Sequence, residues 1–135
     1  IFRIELEQEE DGRWIAEVLE LPGALAYGKT PAEARARVQA LALRAVADRL
    51  EHGETGPDLE TITFAADRLA QRAVAPRLAA LLRIGWSVKR QTGSHRVLTR
   101  SGWPDFVFAF HDRETIGPRM MARIAKRTGL RPDDV

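Results

Sequence analysis

From Phe2 to Glu7 the chain alternates apolar and charged residues (Phe2-Arg3-Ile4-Glu5-Leu6-Glu7), and a period of two predicts a strand with one wet face. Glu10-Asp11-Gly12 is a hairpin signal. Trp14-Ile15-Ala16-Glu17-Val18 resumes the strand, with Trp14, Ala16 and Val18 on one side. Leu21-Pro22-Gly23 is a turn, Ala24–Tyr27 is a short third strand, and Gly28 ends it. The period then changes. Thr30-Pro31-Ala32-Glu33 starts a helix, with Thr30 as N-cap, Pro31 at the first helical position and Glu33 completing a capping box. Ala34, Val38, Leu41, Ala42, Ala45, Val46 and Leu50 continue as a stripe at 3.6 spacing, with Arg35, Arg37, Arg44 and Arg49 mostly outside, and Gly53 as the stop. Leu59–Phe64 reads as a fourth strand after the breaker Gly56-Pro57.

The same pattern-reading makes Ala65–Ala75 a link with helical propensity and Pro76 the start or kink of a helix over Arg77–Ile84, closed by Gly85. Trp86–Gln91 and His95–Arg100 form a hairpin about Thr92-Gly93-Ser94; Ser101-Gly102 turns the chain into a third strand at Phe106–Phe110. Gly117-Pro118 opens a last helix with Met120, Met121, Ile124 and Ala125 inward, and Gly129 ends it. The fold class is therefore α+β: a β-β-β-α-β module over residues 1–65, then an α-β-β-β-α module over residues 66–135. Neither module is large enough to be stable alone by a wide margin, so mutual packing or oligomerisation would help both.

Charge sharpens this division. Residues 1–65 carry 7 Lys+Arg against 13 Asp+Glu, a net of −6, and residues 66–135 carry 14 against 6, a net of +8. A small basic module points to a polyanion partner, with RNA or DNA the leading class, and an acidic module on the same chain is suited to cover it. Zero cysteines exclude disulfides and thiolate metal sites and suit a cytoplasmic protein. The three histidines, His52, His95 and His111, are scattered, which argues against structural zinc; no cofactor is implied. No run is long enough to span a bilayer and none reads as a secretory signal.

Candidate chemistry gathers in the basic half. His95 can take or give a proton near neutral pH, and metal-free RNA cleavage needs a base for the 2′-hydroxyl and an acid for the leaving oxygen. The bland alternative is a surface histidine on a hairpin. Gly93 lets the backbone approach a phosphate, and Ser94 either donates to it or only finishes the turn. Lys89, Arg90, Arg96 and Arg100 are candidate phosphate contacts, set against a solvated strand face. His111 is a second acid or an inert loop residue; Arg119, Arg123 and Lys126 bind a nucleic-acid backbone or face water. Glu5, Glu7, Glu17 and Glu20 read as solvated faces rather than a metal cluster. The aromatic residues Trp14, Trp86, Phe106, Phe108 and Phe110 are expected in cores, and Trp103 is the one to test for exposure.

The α-β-β-β-α order with a basic surface is the plan of a double-stranded-RNA-binding domain. More narrowly, Leu78–Trp86, Arg90-Gln91-Thr92-Gly93-Ser94-His95, the strand ending in His111, Ile116-Gly117-Pro118 and Ile124–Leu130 together resemble the HicA toxin family. Trp14–Gly23 with Tyr27–Ala34 resembles the HicB antitoxin N-terminal domain, a partial ribonuclease-H-like fold. The resemblance implies a ribonuclease that cuts messenger RNA, with His95 catalytic, joined to the module that neutralises it within the chain or across a dimer. An exposed edge strand in the first module would favour homo-oligomers. HicB proteins usually end in a DNA-binding domain; here the toxin-like module stands in its place, so operator binding is not implied. A catalytically inactive RNA-binding or regulatory protein is the alternative.

Overall fold

The computed structural model describes residues 1–54, 63–68, 78–111 and 114–134. Strands β1 (Phe2–Gln8), β2 (Trp14–Val18) and β3 (Leu25–Gly28) precede helix α1 (Pro31–Glu51) and strand β4 (Phe64–Arg68). Helix α2 (Leu78–Arg83), strands β5 (Ser87–Thr92), β6 (His95–Arg100) and β7 (Trp103–Phe108) and helix α3 (Pro118–Thr128) follow. The first sheet has the order β3-β2-β1-β4 and the second β5-β6-β7. The mixed α+β class and the element order agree with the periodicity of the sequence.

Several boundaries differ, each for a local reason. The fourth strand lies at Phe64–Arg68, not Leu59–Phe64, and takes residues read as the start of a helical link. It pairs in parallel with β1, Phe2 opposite Phe64, and the two rings meet edge to face at 5.7 Å. The open edge of β1 thus outweighs the helical preference of Ala65 and Ala66. Residues 59–62 of the expected strand, 69–75 of the link, and Pro76 and Arg77 lie outside the described residues. β7 begins at Trp103, earlier than Phe106, and tolerates Pro104 because it is an edge strand. The capping box is half built: Glu33 N–H donates to Thr30 Oγ1 at 3.1 Å, but the Glu33 carboxylate pairs with Arg37 one turn on at 2.6 Å.

α1 lies between the two sheets. Ala34, Val38, Ala42 and Val46 pack on Ile4, Leu6, Ala16 and Val18 of the first sheet. The adjoining stripe, Leu41 and Ala45, packs on Val107 and Ala109 of the second half. Small alanines on both stripes let the helix approach both surfaces closely. The other face of the first sheet, with Ile15, Leu25 and Tyr27, shares a single core with Leu81, Trp86, Phe106, Met120 and Ile124. The halves also meet backbone to backbone: Val107 N–H donates to Pro22 O at 2.9 Å, closing the outer edge of β7. Gly23 permits this approach, since a Cβ there would lie 2.0 Å from Val107 O.

Glu7 and Glu17, expected on a solvated face, are buried at 6% and 3% exposure. They surround Arg123 of α3, together with Glu5, at 2.8, 2.6 and 2.8 Å for Glu7, Glu17 and Glu5 respectively. Arg127 adds a second cation, 3.3 Å from Glu17. Glu20, half-buried, pairs with Arg3 at 3.8 Å. The strand alternation put Glu5, Glu7 and Glu17 on one face correctly; what it could not show is that α3 covers that face.

Candidate functional site

The β5–β6 hairpin turns at Gly93, whose φ of +59° sits in the left-handed region, and His95 is the first residue of β6. Strand alternation then sorts the neighbouring side chains. Register pairs Val97 with Val107 and with Arg90, so His95, Val97, Val107 and Arg90 share one face, the face that α1 covers. Arg96 pairs with Phe108 and Leu98 with Phe106, which places Arg96 on the opposite face, toward α2 and α3. His95 and Arg96 are adjacent in sequence and back to back in space, so Arg96 does not join the His95 site. Arg100 does not join it either: its Nη1 donates to Thr128 O at 3.3 Å and its guanidinium lies over the Trp103 ring, 5.5 Å from the centroid. Trp103 is 37% exposed, while Trp86 is buried and donates to Thr128 O at 2.9 Å.

Arg90 lines the same cavity as His95, and it and its strand neighbour Lys89 are both held by carboxylates. Arg90 donates from Nε to Asp48 Oδ2 at 3.0 Å, from Nη2 to Asp48 Oδ2 at 2.7 Å, and from Nη2 to Glu54 Oε1 at 2.5 Å. Lys89 Nζ is 2.6 Å from Glu54 and 2.8 Å from Asp105. Two acidic residues of the first half, Asp48 and Glu54, therefore grip Arg90, and Glu54 also holds Lys89. The Arg90 and Lys89 bonds hold the Glu54 carboxyl at about 2, well below its ordinary value. Glu54 and Asp48 push Arg90 up in turn, and Asp105 with Glu54 pushes Lys89 up, so both remain charged.

His95 is half-buried at the wall of a cavity of about 560 Å³ between α1 and the hairpin. Arg44, Asp48, Glu51 and His52 of the first half line it, opposite Arg90, Thr92, Gly93, Ser94, His95, Val97 and Val107. Burial lowers the pKa of His95 below the ordinary imidazole value; Arg44 and His111 lower it further and Asp48 opposes them. A neutral imidazole at neutral pH is suited to accept a proton. His111 is exposed past the end of β7, near enough for its charge to be felt at His95. His52 Nδ1 lies 2.7 Å from Asp48 O, which leaves Nε2 the freer ring nitrogen. Arg44 and His52 were missed in the sequence, where Arg44 reads only as an outer-face residue of a helix; the helix's second apolar stripe, Leu41 and Ala45, was the available signal that this face is covered.

The α3 end is also occupied. Arg123, offered above as a backbone-binding or solvated residue, is neither: its side chain is 10% exposed and ion-paired. Glu9 caps α3, accepting from Arg119 N at 3.2 Å and Met120 N at 3.1 Å, while the Tyr27 hydroxyl accepts from Gly117 N at 2.8 Å. The Arg119 guanidinium donates to Gln8 O. Lys126 alone of the three remains exposed.

The second half thus carries a hairpin histidine on a basic sheet face, packed by two helices on the far side. Residues 78–130 match the family described as HicA toxin of bacterial toxin-antitoxin. That stretch, less than half of the chain, is similar to HicA toxins; the match does not extend to residues 1–77. No curated protein and no solved structure matches the chain. Among the described residues no helix is long and apolar enough to cross a membrane, and no group of side chains is arranged to hold a metal ion.

Proposed function

We propose that the chain is a toxin–antitoxin fusion in which a HicB-like, partially ribonuclease-H-like first half neutralises a HicA-like, double-stranded-RNA-binding-domain-like ribonuclease in the second. The substrate is RNA, and the HicA resemblance makes messenger RNA the target. In the active form His95, neutral at pH 7, takes the proton of a 2′-hydroxyl. The freed oxygen attacks the adjacent phosphorus, and the 5′-oxygen of the next nucleotide leaves after receiving a proton. The products are a 2′,3′-cyclic phosphate end and a 5′-hydroxyl end, and no metal is required. Arg90 and Lys89 would stabilise the charge that builds on the phosphorane. His111 is the auxiliary candidate for the acid.

The observation that carries this reading is the capture of Arg90 by Asp48 and Glu54 next to His95. A carboxylate pair gripping a guanidinium takes the place that a phosphate would need. The test is RNA cleavage without added metal by the full chain, by Asp48→Asn/Glu54→Gln, and by that double variant carrying His95→Ala. Cleavage appearing in the double variant and vanishing with His95→Ala is expected. A folded double variant that binds RNA without cutting it overturns the enzymatic reading.

That second outcome has its own support. Ile15 and Leu25 sit in one core with the second half, and each such side chain is worth about 1.5–3 kcal/mol when buried. The halves do not part cheaply, which favours a regulatory RNA-binding protein that never releases a free toxin. Phosphate binding by such a protein would weaken steeply as salt rises.

A further inference from the structure

The first half covers the sheet face that carries His95 without filling it. The remaining cavity, about 560 Å³, is within the range of a small-ligand site and far below what an extended RNA strand needs. Its chemistry is mixed in a particular way. Ala45, Val97 and Val107 form an apolar floor. Arg90 is spent on Asp48 and Glu54, yet Arg44 projects from α1 into the same cavity, exposed, with no carboxylate partner among the described residues. Ser94 and the Gly93 backbone sit beside it, and a Cβ built on Gly93 meets nothing within 4 Å, so the turn is open to a ligand. Glu51 adds an acceptor at the wall opposite.

We infer that the fused chain binds a single nucleotide in this cavity, its phosphate between Arg44 and His95 and its sugar and base over the Ala45–Val97–Val107 floor. A polyanion is disfavoured, because Asp48 and Glu51 face the same space. One phosphate attached to an apolar ring with donor groups fits it: Arg44 answers the phosphate, and Glu51 accepts from a ribose hydroxyl or a base amino group. In this arrangement the neutralising half supplies the cation that replaces the captured Arg90, so the site changes its ligand from an RNA strand to a mononucleotide. The inference rests on the His95 site proposed above.

The experiment is a titration of the full unaltered chain with adenosine and uridine 3′-monophosphate, read by NMR at the histidine ring protons. Saturable shifts at His95 in the millimolar range or below are expected, with Arg44→Ala weakening the affinity by about tenfold or more and Lys126→Ala, outside the cavity, leaving it unchanged. The Arg44 side chain is exposed within the cavity and sits in the middle of a long helix, so alanine there preserves the fold. No shift at His95, equal affinity in Arg44→Ala, or an equal response to inorganic phosphate would each overturn the nucleotide site. The two proposals fail separately. Nucleotide binding with no cleavage by Asp48→Asn/Glu54→Gln leaves this site standing and removes the ribonuclease. Cleavage there without nucleotide binding does the reverse.

Discussion

Arg123→Met tests whether the charges of the two halves are structural. Arg123 projects from α3 into three carboxylates of the first sheet, and its side chain is 10% exposed. Methionine keeps much of the volume and the helix propensity but removes the charge and the donors. Glu7 and Glu17, whose side chains are each 4% exposed, then lose the guanidinium between them, while Arg127, itself 26% exposed, stays 3.3 Å from Glu17. Breaking a buried ion pair on one side costs about 3–5 kcal/mol, because the remaining charge is left in a low-dielectric site. Glu5, at 28% side-chain exposure, can turn to water and adds little. Arg127 recovers part of the loss, so the expected destabilisation is about 3 kcal/mol, or roughly 10 °C in Tm for a chain of this size. Thermal and urea unfolding of the full chain measure it. Arg123→Met combined with Glu7→Gln and Glu17→Gln should return more than half of the loss, since neutral amides can share hydrogen bonds. A single variant within about 0.5 kcal/mol of the parent, the range of ordinary surface changes, would refute the reasoning and return Arg123 to the pool of nucleic-acid contacts.

Gly23→Ala should destabilise by about 3 kcal/mol or more, because the new methyl would overlap the Val107 carbonyl and the residue sits at φ +89°; urea unfolding measures it, and a loss below about 1 kcal/mol would mean that the Pro22–Val107 contact is loose. His95 should titrate below the ordinary imidazole value in an NMR pH series, with Arg44→Ala moving it up and Asp48→Asn moving it further down. The sign for stability follows: the folded pKa is depressed, so the unfolded chain binds the proton first, and stability falls as pH drops from about 6.5 toward the folded value. A His95 titration above that value would contradict the burial and the Arg44 contact.

Much of the architecture was legible locally. The period-two runs at Phe2–Glu7 and Trp14–Val18, the Thr30-Pro31 helix start, and the glycines at 85, 93 and 129 mark elements through nearest-neighbour geometry, which a single sequence carries. Alternation even contained the separation of His95 from Arg96, although a list of basic residues around a histidine conceals it. The partners of the charges were not legible. Arg123 meets Glu5, Glu7 and Glu17 across more than a hundred residues, and Arg90 meets Asp48 across 42. Alternation says which face a side chain takes, and composition says that the halves carry opposite charge. Neither says which surface lies against which, because that depends on the fit of α1 between two sheets and of Gly23 against β7. The sequence by itself therefore determined the order of the elements and most of their bounds, though not those of β4, together with the division of charge and a histidine on a hairpin. Only the docking of the halves decided that Arg90 is held, that Arg123 is buried, and that Arg44 stands beside His95.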